Sequence, residues 1–577
     1  MTTRNSWMAA ATAATLCIVV AFAPSATDAY VTNKSALPTP RQLQYLKQIT
    51  GEICDAPPGE LTDSMIADSH QILKGWTRLS KTAESVHSSS NNKTKKRNTY
   101  NNNKKDKVVV VPSKDNAVAS ENLLRRLVQE ARAGNPQANP TVADYNCILE
   151  TWGRSNGGVF AAERCEAILT QMQNQYELEG DRLVQPNLSS FKICIMAWKH
   201  AGGDSLSSFR AQRVLEWMIN LYDTGKNDLA FPDQMCFDSV LQSWSRNTHK
   251  QAPNYAEKLL GTMETLSNQE ETGYPHRIRP RTLSYNAILG AWSRASPNHS
   301  STSNFKVTGK GSNNNSYGDS KAWLRACDVL SFMENDHFVE GNQDVAPDLV
   351  SYHIVTGALA RSGNPDAAPK ADKILKYVEK QHKEGILSFK PDTFLFNSAM
   401  GCWAHSNKKG AWRKARSILD RQISYFNQGT KACKPDVFGF TSVISTCASE
   451  SGNKDDKAKA FNVALSTFRQ LSHQQEEYGS PNEVTYGAML GCVAKLLPFG
   501  SPERKKWTKK LFRECAANGM VGGMVLARVK EASSSNQEYK ELMSGHTKGS
   551  FPKSWSRNVE NNQRRPRKAF VGKRATV

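Results

Sequence analysis

"SYNAILGAWSRAS", residues 284–296, places Tyr285, Ile288, Leu289 and Trp292 at offsets of zero, three, four and seven. That is one apolar stripe on a helix of 3.6 residues per turn. Pro280 stands five residues before the tyrosine. The cassette recurs, with aromatic anchors at Tyr145, Phe191, Phe237, Tyr285, Tyr352, Phe396, Phe440 and Tyr486. Successive anchors are 46, 46, 48, 67, 44, 44 and 46 residues apart. The long interval holds a low-complexity insert, "NHSSTSNFKVTGKGSNNNSYGDS" (298–320), without which 44 residues remain. A fixed period of this size marks a stacked repeat array.

Each anchor carries the same stripe. Seven residues on stand Trp152, Trp198, Trp244, Trp292 and Trp403, with Leu359, Cys447 and Val493 in the other units. The third and fourth places are apolar in nearly all, as in Ile148/Leu149 and Val443/Ile444; Thr356 is an exception. Sharing a face with Ile and Leu, the tryptophans read as core, not as stacking surfaces for a cofactor or a base. A second stripe follows, small-x-x-apolar-apolar-x-x-Met. Examples are Ala211/Val214/Leu215/Met218 and Ala256/Leu259/Leu260/Met263. The small residue lets two helices approach closely. Each unit is therefore a helix pair, and a lone pair cannot bury both faces, so the units must stack.

Pro140, Pro186, Pro232, Pro280, Pro347, Pro391, Pro435 and Pro481 each precede an anchor by five residues. Proline ends one helix and fixes the turn into the next. The residues that follow are Thr141, Asn187, Asp233, Arg281, Asp348, Asp392, Asp436 and Asn482. All but Arg281 are turn-forming or helix-starting types.

The net charge is +21, and two polar segments hold most of it: +6 in residues 81–107 and +8 in 548–577. Their Asn, Ser and basic composition cannot bury a core, so disorder is expected there. They read either as a solvated linker and tail or as nonspecific holds on RNA backbone. The repeat body, 140–547, carries about +6. Twelve scattered cysteines form no CxxC pair and no zinc-spaced Cys/His cluster. They read as buried thiols in a reducing compartment. The sequon at Asn187 falls inside a repeat junction, which also argues against secretion.

The repeats "KPDTFLFNSAMGCW" (390–403), "KPDVFGFTSVIS" (434–445) and "SPNEVTYGAMLG" (480–491) resemble pentatricopeptide repeat (PPR) units. The resemblance covers roughly residues 120–520, about eight units. "SENLLRRLVQEA" (120–131) fits the second helix of a partial capping unit. The units, at 44–48 residues, exceed the family's usual length, with extra residues between the helices and before the proline. The resemblance implies an all-α fold, a right-handed α-solenoid of stacked helix-turn-helix repeats. It also implies that each unit reads one base of single-stranded RNA through two side chains. The first follows the anchor: Asn146, Lys192, Asp238, Asn286, His353, Asn397, Thr441 and Gly487. The second follows the next unit's proline: Asn187, Asp233, Arg281, Asp348, Asp392, Asp436 and Asn482. By the same resemblance, Asn286/Asp348 and Asn397/Asp436 favour uracil, Thr441/Asn482 adenine and Asn146/Asn187 a pyrimidine. Lys192/Asp233, Asp238/Arg281 and His353/Asp392 fit no code pair, and Asp238 and Arg281 could pair with each other. The implied motif is U–x–U–A. A competing role for these residues is helix capping.

At the N-terminus, Arg4 precedes an apolar stretch, "WMAAATAATLCIVVAFA" (7–23), resembling a signal peptide. Ala21, Phe22, Ala23 and Pro24 resemble the cleavage motif of plastid-targeting presequences in algae with secondary plastids, cut before Phe22. The expectation is a presequence over 1–30 and an organellar, preferably plastid, location, with the mitochondrion as alternative. The expected domain plan then runs through a low-order region, 31–119, the solenoid, 120–520, and a partial helix with a basic tail, 521–577.

No catalytic constellation is present: no HExxH, no GxxxxGK[ST] and no convincing GxGxxG. No Asp follows Asp456, which excludes the aspartate-rich nuclease domain some PPR proteins carry, and a deaminase signature is also missing. The chain is therefore read as a non-enzyme without cofactor or metal, monomeric, free of the membrane once mature, and binding single-stranded RNA with possible protein partners in RNA processing. The alternative is a protein-binding scaffold resembling tetratricopeptide repeats, with nonspecific RNA contact through the basic tails.

Overall fold

The computed structural model describes residues 40–91, 114–202, 205–268, 278–295, 322–543 and 552–559. Among these residues all regular structure is helical. They fall into two compact units, residues 1–291 and 292–577.

The first unit contains α1 (Pro40–Asp55), α2 (Asp63–Asn91), α3 (Lys114–Arg132), α4 (Val142–Gly153), α5 (Gly158–Glu179), α6 (Leu188–Ala201), α7 (Ser205–Asp223), α8 (Gln234–Arg246) and α9 (Ala252–Asn268). The unit boundary falls inside α10 (Thr282–Ala295). The second contains α11 (Ala322–Phe338), α12 (Leu349–Ser362), α13 (Ala367–Lys383), α14 (Thr393–His405), α15 (Ala411–Asn427), α16 (Val437–Cys447), α17 (Lys454–His473), α18 (Gln475–Tyr478), α19 (Glu483–Leu496), α20 (Pro502–Ala517), α21 (Gly523–Ala532) and α22 (Asn536–Leu542).

Packing is local in sequence. α4 packs on α5 and α6, and α6 on α7 and α8; likewise α14 packs on α15 and α16, and α16 on α17 and α19. Each of these first helices thus touches its own partner and the first helix of the next repeat. The two stripes explain this. All eight anchors are buried, as are the five tryptophans at the seventh place. Ala211, Leu215 and Met218 of the second stripe are buried with them. The extra length lies partly in the second helices, 22 residues in α5 and 20 in α17 against 12 in α4 and 11 in α16. The rest is a short 3-10 turn before the proline, as at Arg182–Val184 and Lys431–Cys433. A left-handed glycine stops several second helices, as Gly180 (φ 67°) and Gly385 (φ 74°) do.

Tryptophan ring nitrogens tie consecutive units together in the first unit of the fold. Trp152 Nε1 donates to Glu121 at 3.0 Å and Trp198 Nε1 to Glu166 at 2.9 Å. Arg210 pairs with Glu166 at 3.0 Å, and Arg164 pairs in the same way with Glu121. Each buried indole N–H thereby gains a charged acceptor.

The expectation of low order over 31–119 is corrected by α1, α2 and α3. Leu46, Ile53, Leu73 and Trp76 are buried, and α2 packs on α4. Their spacing holds a stripe with no aromatic anchor: Ser69, Ile72, Leu73 and Trp76 occupy the offsets of an anchor cassette, with serine in the aromatic place. α3 carries Ser120/Leu123/Leu124/Leu127, the second-helix pattern. A further first-type helix, α21, packs on α19 beyond residue 520. The repeat therefore continues past both ends of 120–520. The presequence 1–30, residues 92–107 of the basic linker, the insert 298–320 and residues 548–551 and 560–577 of the tail lie outside the described residues.

Among the described residues, no helix is long and apolar enough to cross a membrane. The eleven described cysteines are free, and eight of them are buried. Burial pushes the Cys447 and Cys515 thiols up to about 12.

Candidate nucleic-acid interface

The post-proline residues cap the first helices. Asn187, Asp233, Asp348, Asp392, Asp436 and Asn482 each accept a backbone N–H of the first turn at 2.8–3.3 Å. Proline fixes the extended entry, and the short polar side chain then reaches the otherwise unpaired donors.

Four of these caps, Asn187, Asp233, Asp392 and Asp436, and the post-proline Arg281 also meet the residue after the preceding anchor directly. Asn146 Nδ2 donates to Asn187 at 3.4 Å, Lys192 Nζ to Asp233 at 3.0 Å and Arg281 to Asp238 at 2.6 Å. His353 Nε2 lies 2.9 Å from Asp392, and Asn397 Nδ2 donates to both Asp436 oxygens at 3.0 and 3.1 Å. Thr441 reaches Asn482 through Thr485, whose hydroxyl lies 2.7 Å from Thr441 and 3.1 Å from the Asn482 carbonyl oxygen. Capping and pairing are thus joint roles of one side chain. Partial burial alone would raise the Asp233 and Asp392 carboxyls, but hydrogen bonds from Lys192 and His353 and from first-turn N–H groups hold both below their usual range. Asn286 and Asp348 lie in different units.

Serine or threonine just before the anchor often completes the arrangement. Ser190 donates to Asn146 at 2.7 Å and Ser284 to Asp238 at 2.8 Å. Where glycine takes this place, at Gly439, the buried Asn397 Oδ1 has no partner.

Apolar side chains flank the polar pairs. Two residues before six of the anchors stand Met235, Leu283, Val350, Phe394, Phe438 and Val484, each between 46 and 58% exposed. Phe394 also lies against the His353 ring, with centroids 4.6 Å apart. The sequence reading missed this row. Its signal was an apolar residue at a fixed place off the buried stripe.

Two cavities show how these parts combine. One, of about 500 Å³, is lined by Phe394 and Phe438, the Asn397/Asp436 pair, and the small residues Gly357, Ala360, Ser398 and Gly401; Arg361 and His405 also line it. The other, of about 620 Å³, brings Met235 and Leu283 together with the Asp238/Arg281 pair and Lys199. Arg361 and His405 belong to a second overlooked row. Nine residues after the anchors, and after Ser69, stand Arg78, Arg154, His200, Arg246, Arg294, Arg361, His405 and Lys495, with Ser449 as the gap. His200 lies within electrostatic reach of Arg154 and Arg246, and Arg361 of Arg294. Burial, then Lys199, Arg246 and Arg154, lower the His200 pKa; burial, then Arg294, lower that of Arg361.

Each cavity therefore offers two apolar flanks, a hydrogen-bonding pair and a cation at its edge. Among the described residues no group of His, Cys, Asp or Glu is arranged to hold a metal ion. The class this architecture defines is an all-α protein of helix-pair repeats. No protein-family model matches the chain, and no curated protein matches it as a relative.

Proposed function

We propose that this chain is a PPR-type α-solenoid that binds single-stranded RNA sequence-selectively and acts in organellar RNA processing, stabilisation or translation. The cavity at Asn397 carries the reading. Its flanks, Phe394 and Phe438, suit the faces of an unstacked base; the Asn397/Asp436 pair meets a base edge; Arg361 and His405 suit the adjoining phosphate. The second cavity, with Met235 and Leu283 about the Asp238/Arg281 pair and Lys199 beside it, repeats this plan of apolar flanks, polar pair and cation.

The test is selection from a random RNA pool by the chain. Enrichment of a short U–x–U–A element is expected. Asn397→Thr should move one base of that element toward G. An unchanged motif for that variant would sink the assignment.

A further inference from the structure

The second helices divide sharply by charge. The five in α3, α5, α7, α9 and α11 together hold nine Lys/Arg and fourteen Asp/Glu. The four in α13, α15, α17 and α20 hold nineteen and seven. These four stand side by side. Arg421 of α15 meets Glu379 of α13 at 3.2 Å, Arg413 of α15 meets Asp456 of α17 at 2.9 Å, and Phe461 of α17 meets the Trp507 ring of α20 at 6.2 Å. At ordinary helix spacing they span roughly 30 Å, close to one turn of a nucleic-acid duplex.

Part of this charge is spent on carboxylates, as at Arg413 and Arg421. The remainder is not. Lys373, Lys414, Lys459, Lys506, Lys510 and Arg513 are exposed, and none makes an ion pair among the described residues. None of them lines the cavity at Asn397. The face also lacks apolar anchors. No large hydrophobic residue is exposed on α13, α15, α17 or α20, whereas Val118, Phe160, Leu178, Leu206, Phe332 and Phe338 are exposed on the acidic set.

We propose that this face is a second site, which docks the phosphate backbone of folded, double-stranded RNA next to the single-stranded element. The proposal rests on the RNA reading above. Protein interfaces draw most of their energy from aromatic and arginine anchors in dry pockets; here Trp412 is buried, and the arginines beside it, Arg413, Arg416 and Arg421, line an open depression and are paired with carboxylates. Lysine-rich surfaces act on phosphates as point charges, blind to sequence, and duplex RNA is recognised largely through its backbone.

The full chain is titrated with three probes: a U–x–U–A single strand, a hairpin of about 12 base pairs, and the strand joined to the hairpin. The variant combines Lys373→Gln, Lys414→Gln, Lys459→Gln, Lys506→Gln and Lys510→Gln. All five side chains are exposed, so its thermal unfolding should match that of the parent. For the two hairpin probes the variant should bind at least about tenfold more weakly near physiological salt, and its log–log salt slope should fall by up to about 0.9 per lysine removed. Binding of the bare strand should stay within about twofold. Unchanged hairpin binding in the variant overturns the proposal, and so does equal weakening on all three probes. A polyglutamate chain that displaces the hairpin at equal charge also overturns it, in favour of an acidic protein. If the strand shows no sequence preference while the hairpin still needs the lysines, the cavity reading fails and the basic face stands.

Discussion

Filling the cavity at Asn397 should separate RNA binding from stability with a change of sign. Gly401 lies on α14 and lines the cavity, and a Cβ built there would meet nothing within 4 Å. Its backbone is ordinary right-handed helix, so a side chain causes no strain. Gly401→Leu replaces the weakest non-proline helix former with one of the best, which should stabilise α14 by about 0.8 kcal/mol. The leucine then projects into the space that a base is proposed to occupy. Losing one stacked base costs about 1–3 kcal/mol, or roughly five- to 150-fold in affinity. Gly401→Ala should keep most of the helix gain with much less obstruction. The assays are amide exchange of α14, which should slow in both variants, and titration with the selected RNA, which should weaken strongly only for leucine. If Gly401→Leu binds as the parent does, no base enters there. If it speeds exchange in α14, the space is not open as described.

Asp436→Ala removes a helix cap and the partner of Asn397, together worth about 2–3 kcal/mol, so exchange in α16 should accelerate, while Asp436→Asn should lose under about 1 kcal/mol. Phe438→Ala should lower RNA affinity by about tenfold or more with little loss of stability, because the ring is 58% exposed; equal thermal melting with equal binding would refute its role. The hydrogen bond to Asp144 raises the His70 pKa, so that contact stabilises most below the histidine's ordinary value and fades as pH rises through the folded one. The melting difference between the parent and His70→Gln should therefore shrink as pH rises from the histidine's ordinary value through its raised folded one, and a difference constant with pH would refute it. Trp76→Ala should cost about 3–5 kcal/mol locally and deprotect α1 to α3 while leaving α19 unchanged, as a packed unit over these residues requires.

The sequence by itself determined the helix pairs, because burying one face of a helix imposes a 3.6-residue rhythm that eight anchors repeat. It determined the breaks as well, since proline followed by a short polar residue can start a helix but cannot continue one. It located the side chains that stand at each junction. The unit at Ser69 stayed hidden because packing requires only that this place be buried, and a serine surrounded by Ile72, Leu73 and Trp76 meets that requirement as an aromatic does. Only the tertiary structure decided what the junction residues do together. Asn397 and Asp436 lie 39 residues apart, and nothing local to either one reports the other. The exposed row from Met235 to Val484 and the cations nine residues past the anchors were visible as letters. That Phe394, Phe438, Arg361 and His405 line one cavity was not, because it depends on how each first helix rests against the next, and that distance is set by the small residues between them.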